Sequence, residues 1–210
     1  MKTTANNQVT IAGEVVSEFK FNHEVYGEGF YTVKLRVSRE SGIDDVIPIM
    51  ISERLMDVTQ DYRGRYMAIL GEFHSYNYTE GTKRRLQLYV FAVGVEILEE
   101  LFEMPNSICL NGYICKEPVY RITPLGREIA DLLVAVNRPY GKSDYIPCIC
   151  WGRNARYAGK LQVGDELKIQ GRIQSRDYKK ILEDGTAEIR TVYEVSISKI
   201  EEVYRENTTE

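Results

Sequence analysis

One tryptophan, two histidines, four cysteines and six prolines in 210 residues set the first limits. The histidines, His23 and His74, lie in the first half, and the cysteines, Cys109, Cys115, Cys148 and Cys150, all lie in the second. A zinc site needs paired cysteines at CxxC-type spacing or histidines close by, so no metal is expected. Cys148 and Cys150 share one face if their segment is a strand, and all four thiols read as reduced, buried, small apolar side chains. No run of 18 apolar residues exists, which argues against a membrane helix. Met1–Asn7 is polar and lacks the apolar stretch of a signal peptide, so a cytoplasmic protein is expected. The sequence has no phosphate-cradling glycine loop and no histidine near a motif serine or cysteine, so neither an enzyme nor a small-molecule cofactor is expected. Basic residues are outnumbered 27 to 31, for a net charge of −4. That excludes a bulk polycation but leaves room for a local basic face.

What the sequence does have is a repeat. Asn7-Gln8-Val9-Thr10-Ile11-Ala12-Gly13 resembles Asn106-Ser107-Ile108-Cys109-Leu110-Asn111-Gly112, an offset of 99. At the same offset, Val33–Arg39 matches Leu132–Arg138 and Ile47–Ile51 matches Ile146–Cys150. Tyr66–Gly71 matches Glu166–Gly171 at an offset of 100. A period this long means two copies of one domain rather than a solenoid. The units are 1–104 and 105–200, followed by a short acidic tail, 201–210.

Each copy reads as β-rich. In the second copy, strands are expected at Ser107–Tyr113 and onward, Ile129–Asn137, Tyr145–Trp151, Glu166–Tyr178 and Glu188–Ile200. A short helix is expected at Asn154–Leu161, and a hairpin turn at Glu183-Asp184-Gly185. The first copy gives the same order, with Glu53–Asp61 as its helix and a turn at Glu80-Gly81. A short joining helix can be read at Ile97–Phe102. The fold class is therefore all-β: two tandem five-stranded OB-fold Greek-key barrels, each with a short helix between strands 3 and 4.

Alternation along Glu166–Tyr178 sets Leu167, Ile169, Gly171, Ile173 and Ser175 toward the barrel. Lys168, Gln170, Arg172, Gln174, Arg176 and Tyr178 face outward. Tyr145, Pro147, Ile149 and Trp151 share a face by parity, Arg138 and Tyr140 follow the second strand, and Arg121, Arg127 and Arg153 add charge near loops. Aromatics interleaved with arginines suit single-stranded nucleic acid, because every base offers a π-face and arginines follow phosphates. OB barrels also bind sugars and proteins, so spacing alone leaves those open.

From Asn106 to Val195 the sequence resembles the bacterial single-stranded DNA-binding protein family. The residues that carry the likeness are Ile108–Gly112, Glu117–Gly126, Leu133–Tyr140, Asp144–Gly152, Gly164–Arg176 and Tyr178. The resemblance implies non-enzymatic, sequence-nonspecific binding of single-stranded DNA by OB barrels that assemble in fours. Two barrels per chain then suggest a homodimer. It places base stacking on Tyr140, Tyr145, Trp151 and Tyr178. Phosphate contacts fall to Arg121, Arg138, Arg153, Lys168, Arg172 and Arg176.

The first copy departs from this pattern. Val46 stands for Tyr145, Ser52 for Trp151, Ala68 for Lys168, Leu70 for Gln170 and Glu72 for Arg172. Its remaining candidates for touching DNA are Tyr76, Tyr78, Lys83, Arg84 and Arg85. Residues 1–105 carry a net −5 and residues 106–200 a net +4. The expectation is that the second barrel carries most of the DNA affinity and the first mainly packs, its face of Val46, Met50 and Leu70 being apolar. The end of the chain shows no linker and no aromatic-proline tip of the kind the resemblance implies. Partner recruitment by that route is not expected, and a mobile-element version or a restart-primosome cousin is the nearer likeness. The competing function is a primosome or conjugation scaffold with little DNA affinity.

Overall fold

In a computed structural model of the chain, the described residues are 6–81, 83–100, 105–181 and 185–203, without the side chains of Glu80, Lys83 and Arg84. The strands β1 (Asn7–Val15), β2 (Lys20–Val25), β3 (Glu28–Ser38), β4 (Asp44–Ser52), β5 (Tyr66–Glu80) and β6 (Lys83–Leu98) form the first barrel. The second comprises β7 (Asn106–Ile122), β8 (Glu128–Asn137), β9 (Ser143–Trp151), helix α1 (Arg153–Ala158), β10 (Glu166–Ile181) and β11 (Ala187–Glu202). Period-2 alternation builds both cores. Val33, Leu35 and Val37 on β3 and Leu132, Val134 and Val136 on β8 point inward at matching positions. No helix among the described residues is long and apolar enough to cross a membrane.

Closure is equivalent in the two barrels. The second-last strand of each copy returns against the first, as β5 on β1 and β10 on β7. The last strand runs parallel to the one before the returning strand, β6 to β4 and β11 to β9, with Ile49 opposite Val90 and Cys148 opposite Val195. Gly71 and Gly171 sit at bulges where the second-last strand presses on the last, and a Cβ at Gly171 would meet the Ser196 carbonyl oxygen. Gly171→Ala is expected to lower stability by about 2 kcal/mol through backbone displacement. Urea denaturation measures it, and an unchanged midpoint would mean the strands part easily here.

The barrels join through β1 and β7, which pair antiparallel with Val9 opposite Ile108, Asn7 opposite Leu110 and Ile11 opposite Asn106. Under the offset of 99, Ile108 is the counterpart of Val9 itself. The chain therefore folds as an internal pseudo-dimer about that pair, and the eleven strands of the described residues belong to one sheet.

Four details differ from expectation. Residues 53–61 form successive turns instead of a helix, because Asp57 accepts from Thr59 and Gln60 and Asp61 from Arg63, and such side-chain bonds compete with helical ones. The first strand of the first copy is broken at Val16–Phe19, so that barrel has six strands. Ile97 and Leu98 end β6 instead of opening a joining helix, since they pair with Met67 and Tyr66; the rest of that segment is largely outside the described residues. Cys109 is exposed, lying on the outward face of β7, and Cys115 is half-buried. Cys148 and Cys150 are buried as read. Burial pushes the Cys150 thiol up to about 12 and raises that of Cys148, so both stay protonated and unreactive. The expected turn at Glu183-Asp184 and residues 204–210 of the acidic tail lie outside the described residues, while β11 runs on through Glu201 and Glu202.

Candidate nucleic-acid interface

The wall of the second barrel holds a concavity of about 670 Å³, lined by Trp151, Arg127, Arg172, Gln174, Ser196 and Ser198 among others. Trp151 is the last residue of β9 and is 41% exposed. Gly152 follows with a positive φ of 54° and turns the chain into α1. Arg127 comes from the β7–β8 turn, which is closed by hydrogen bonds between Thr123 and Arg127. Arg172 projects from β10. A further lining residue, Arg39, belongs to the first barrel. It extends the groove over the β3–β4 loop, where a further concavity of about 330 Å³ is lined by Ser38, Arg39, Glu40, Ser41, Asn106 and Arg172.

Arg39 is held in place by a contact that occurs twice. It forms a two-pronged ion pair with buried Asp45 at 2.7 Å on each prong, and donates to the Ser175 carbonyl of the other barrel at 2.9 Å. Asp45 in turn accepts from the Ser175 backbone N–H at 2.6 Å and from its hydroxyl at 2.9 Å. At the offset of 99 to 100, Arg138 pairs with buried Asp144 and donates to the Ser75 carbonyl, while Asp144 accepts from the Ser75 N–H at 2.5 Å. Each barrel thus clasps the other through Arg, Asp and Ser. Burial raises the Asp45 carboxyl, but the bonds from Arg39 and Ser175 outweigh it and hold the group below its ordinary value.

The sequence-derived candidates therefore divide. Arg138 is half-buried in the clasp and does not present its guanidinium to a phosphate; the reason is the Asp144 carboxylate beside it. Arg121 is exposed and paired with Asp131 at 2.9 Å. Arg176 is exposed, with Glu194 at 3.8 Å. Arg153 opens α1 and Lys168 lies near the start of β10; both are exposed and neither lines the concavity. Gln174, read as outward, is buried and donates to Glu194 at 2.9 Å, because the first barrel covers this part of β10.

The aromatics are all exposed but do not meet in one place. Tyr140 is fully exposed on a single 3-10 turn, Pro139–Gly141, with φ of 64°. Tyr145 flanks the clasp, its backbone N–H donating to the Ser75 hydroxyl at 2.8 Å. Tyr178 lines a separate groove of about 770 Å³ together with Tyr78, Arg85, Lys180 and Arg190. The long hairpins of the two barrels face each other across it. Tyr76 is exposed outside that lining, and the side chains of Lys83 and Arg84 lie outside the described residues. Two lining residues, Arg39 and Arg190, are not among the sequence-derived candidates, the first paired with Asp45 and the second with Glu188, and Arg127 counts there only as loop charge. The repeated Arg-x5-Asp spacing, 39 to 45 and 138 to 144, was the available signal for the clasp.

A buried histidine sits beside the clasp. His74 bonds Glu72 at 2.9 Å and stacks on Phe91. Burial first, then the charge of Arg138, lowers its pKa from the usual 6.5, against smaller raising effects of Asp144 and Glu72. The unfolded chain therefore takes up this proton at a higher pH than the folded one. Stability should fall as pH drops below about 6.5 toward the folded value, with Asp45 adding a further loss below its ordinary carboxylate range. His74→Gln should flatten the first part of that decline in urea titrations at several pH values; an unchanged slope would assign it to other groups.

Fold and site together define a pair of fused OB barrels with one cationic, aromatic-bearing wall. Residues 105–203, the second barrel, match the Single-strand binding protein family. Among relatives, Single-stranded DNA-binding protein 3 of Listeria innocua is 35% identical over 36% of this chain and 51% of its own. The Single-stranded DNA-binding protein of Oceanobacillus iheyensis is 34% identical over 43% of this chain and 56% of its own. The chain thus spans about half the length of the curated relatives it matches. The crystal structure of the wild-type single-stranded DNA binding protein from Thermus aquaticus matches 97% of this chain and 96% of its own, with a TM-score of 0.78 at 20% identity. That likeness concerns the fold of the whole two-barrel chain.

Proposed function

We propose that the chain binds single-stranded DNA without regard to sequence and without enzymatic activity, chiefly through its second barrel. The units are 1–104 and 105–200, the second unit's last strand continuing to Glu202. The observation that supports this most is the concavity in which Trp151 stands among Arg127, Arg172 and Arg39. The Trp151 ring is available for base stacking and the Arg127 and Arg172 guanidinium groups for the backbone on either side, while Arg39 borders the groove with its guanidinium held by Asp45. Tyr145, Tyr140 and Tyr178 would continue the stacking path, with Arg176, Arg153, Arg121 and Lys168 along its margins and Tyr76, Tyr78 and the Lys83-Arg84-Arg85 cluster on the first barrel.

In a full-length chain, Arg172→Ala should weaken oligo-dT binding and reduce the slope of log affinity against log salt by about 0.7, one phosphate contact. An unchanged slope would remove Arg172 from the path. Two chains would supply four barrels, so we further propose a cytoplasmic homodimer. Light scattering should return twice the 24.2 kDa chain mass; a monomer that binds DNA normally would refute the assembly alone.

A further inference from the structure

The matching wall of the first barrel also holds a concavity, of about 530 Å³, lined mainly by Val25, Tyr26, Phe30, Leu55, Phe91 and Val93. Strand register makes the two walls comparable position by position, since Ile49 and Met50 face Val90 and Phe91 as Cys148 and Ile149 face Val195 and Ser196. Where the second wall has Arg127, Trp151, Arg172, Ser196 and Ser198, the first has Glu28, Ser52, Glu72, Phe91 and Val93. Two cations have become acids, the stacking ring is gone, and two hydroxyls have become apolar side chains.

Apart from the fully exposed Tyr26, the rings that remain are arranged against base stacking. His23 lies on Phe30 at 4.9 Å and 9°, Phe30 meets Phe91 at 5.9 Å, and Phe91 lies on His74 at 5.3 Å and 18°. Their faces are turned to one another, so this row offers edges and aliphatic surface instead of free π-faces. The one guanidinium in the lining, Arg54, is paired with Glu28 at 3.1 Å. Glu53, which accepts from the Gly29 N–H, and Glu72, opposite Phe91, are further carboxylates nearby. Burial lowers the pKa of His74, leaving it uncharged near neutrality. Phosphates would meet net negative charge here, whereas an apolar side chain beside a lysine or arginine would find both a pocket and a counter-charge.

We propose that this pocket is a protein-docking site for a basic peptide segment that inserts one aromatic or large aliphatic side chain under Tyr26. Such a chain would hold a partner protein on its first barrel while its second barrel remains free for a nucleic acid. The inference stands on the first wall alone and does not depend on what the second wall binds.

The test uses the full chain, isotope-labelled, with the amidated tripeptide Lys-Trp-Lys and a thymidine oligonucleotide as separate probes. The peptide should shift the amide resonances of Phe30 and residues 91–93 saturably. Tyr26→Asn should weaken that binding about fivefold or more. Tyr26 is fully exposed with φ of 50°, a conformation asparagine tolerates, so this variant keeps the fold. Phe91→Ser, which installs the residue of the second wall, should abolish the shifts. Silence of these amides at saturating peptide would overturn the proposal. So would oligonucleotide shifting them at lower concentration than the peptide, which would make the pocket a base site.

Discussion

Asp144→Ala should destabilise the chain by about 3 kcal/mol or more, the larger part of it because Arg138 is left half-buried without its counter-charge. Asp144 has no solvent exposure and serves two groups, the Arg138 guanidinium and the Ser75 backbone N–H of the other barrel. Removing it orphans both. The effect should exceed that of truncating an exposed pair such as Arg121–Asp131, where at most about 1 kcal/mol is at stake. A cycle with Arg138→Met isolates the charge term, since the double variant has no uncompensated cation and should recover part of the loss. Urea denaturation reads both. If Asp144→Ala unfolds within about 0.5 kcal/mol of the parent, the clasp is a surface decoration. Asp45→Ala carries the same expectation, with one functional addition: it frees Arg39, which the clasp otherwise holds in the wall of the second barrel.

Trp151→Ala should cost about 1–3 kcal/mol in binding of single-stranded DNA, the range measured for loss of one stacked base, or about 5- to 150-fold in affinity. Stacking is largely uncharged, so the salt slope should remain as it was, in contrast to Arg172→Ala. Trp151 ends β9 with its ring exposed, so the substitution should leave the fold intact. Ser52→Ala, at the matching position of the first barrel, should leave affinity nearly unchanged if the two walls differ in role. Equal losses at the two sites would mean that both barrels bind DNA alike. Titration of oligo-dT by anisotropy decides between these outcomes.

Much of this architecture could be read from the chain because a repeat doubles every signal. The alternation of Leu167, Ile169 and Ile173 against Lys168 and Arg172 placed β10 correctly, and the matched Val33–Arg39 and Leu132–Arg138 located β3 and β8. What escaped were features set by contact between the copies. Alternation put Gln174 outward, since parity within one strand carries no trace of the barrel that covers it. Arg138 read as a phosphate ligand because its pairing with Asp144, six residues on, belongs to the contact between the barrels. Arg39 went unassigned because its place in the wall depends on how the two barrels meet. The helix expected over 53–61 failed for a local reason, the competition of Asp57 and Asp61 with helical hydrogen bonds. The aromatic candidates were right in exposure but silent about grouping: Trp151 and Tyr178 line separate grooves, one walled largely by the second barrel and one shared between the hairpins.

The most direct test of the account is the fluorescence of Trp151, the sole tryptophan, during titration of the full chain with oligo-dT at moderate salt. The account predicts saturable quenching that tracks binding measured independently by anisotropy, because the base would lie on the indole ring. Emission that stays constant while anisotropy reports bound oligonucleotide would take the DNA path away from this wall. An absence of binding at low salt would contradict the proposed function itself.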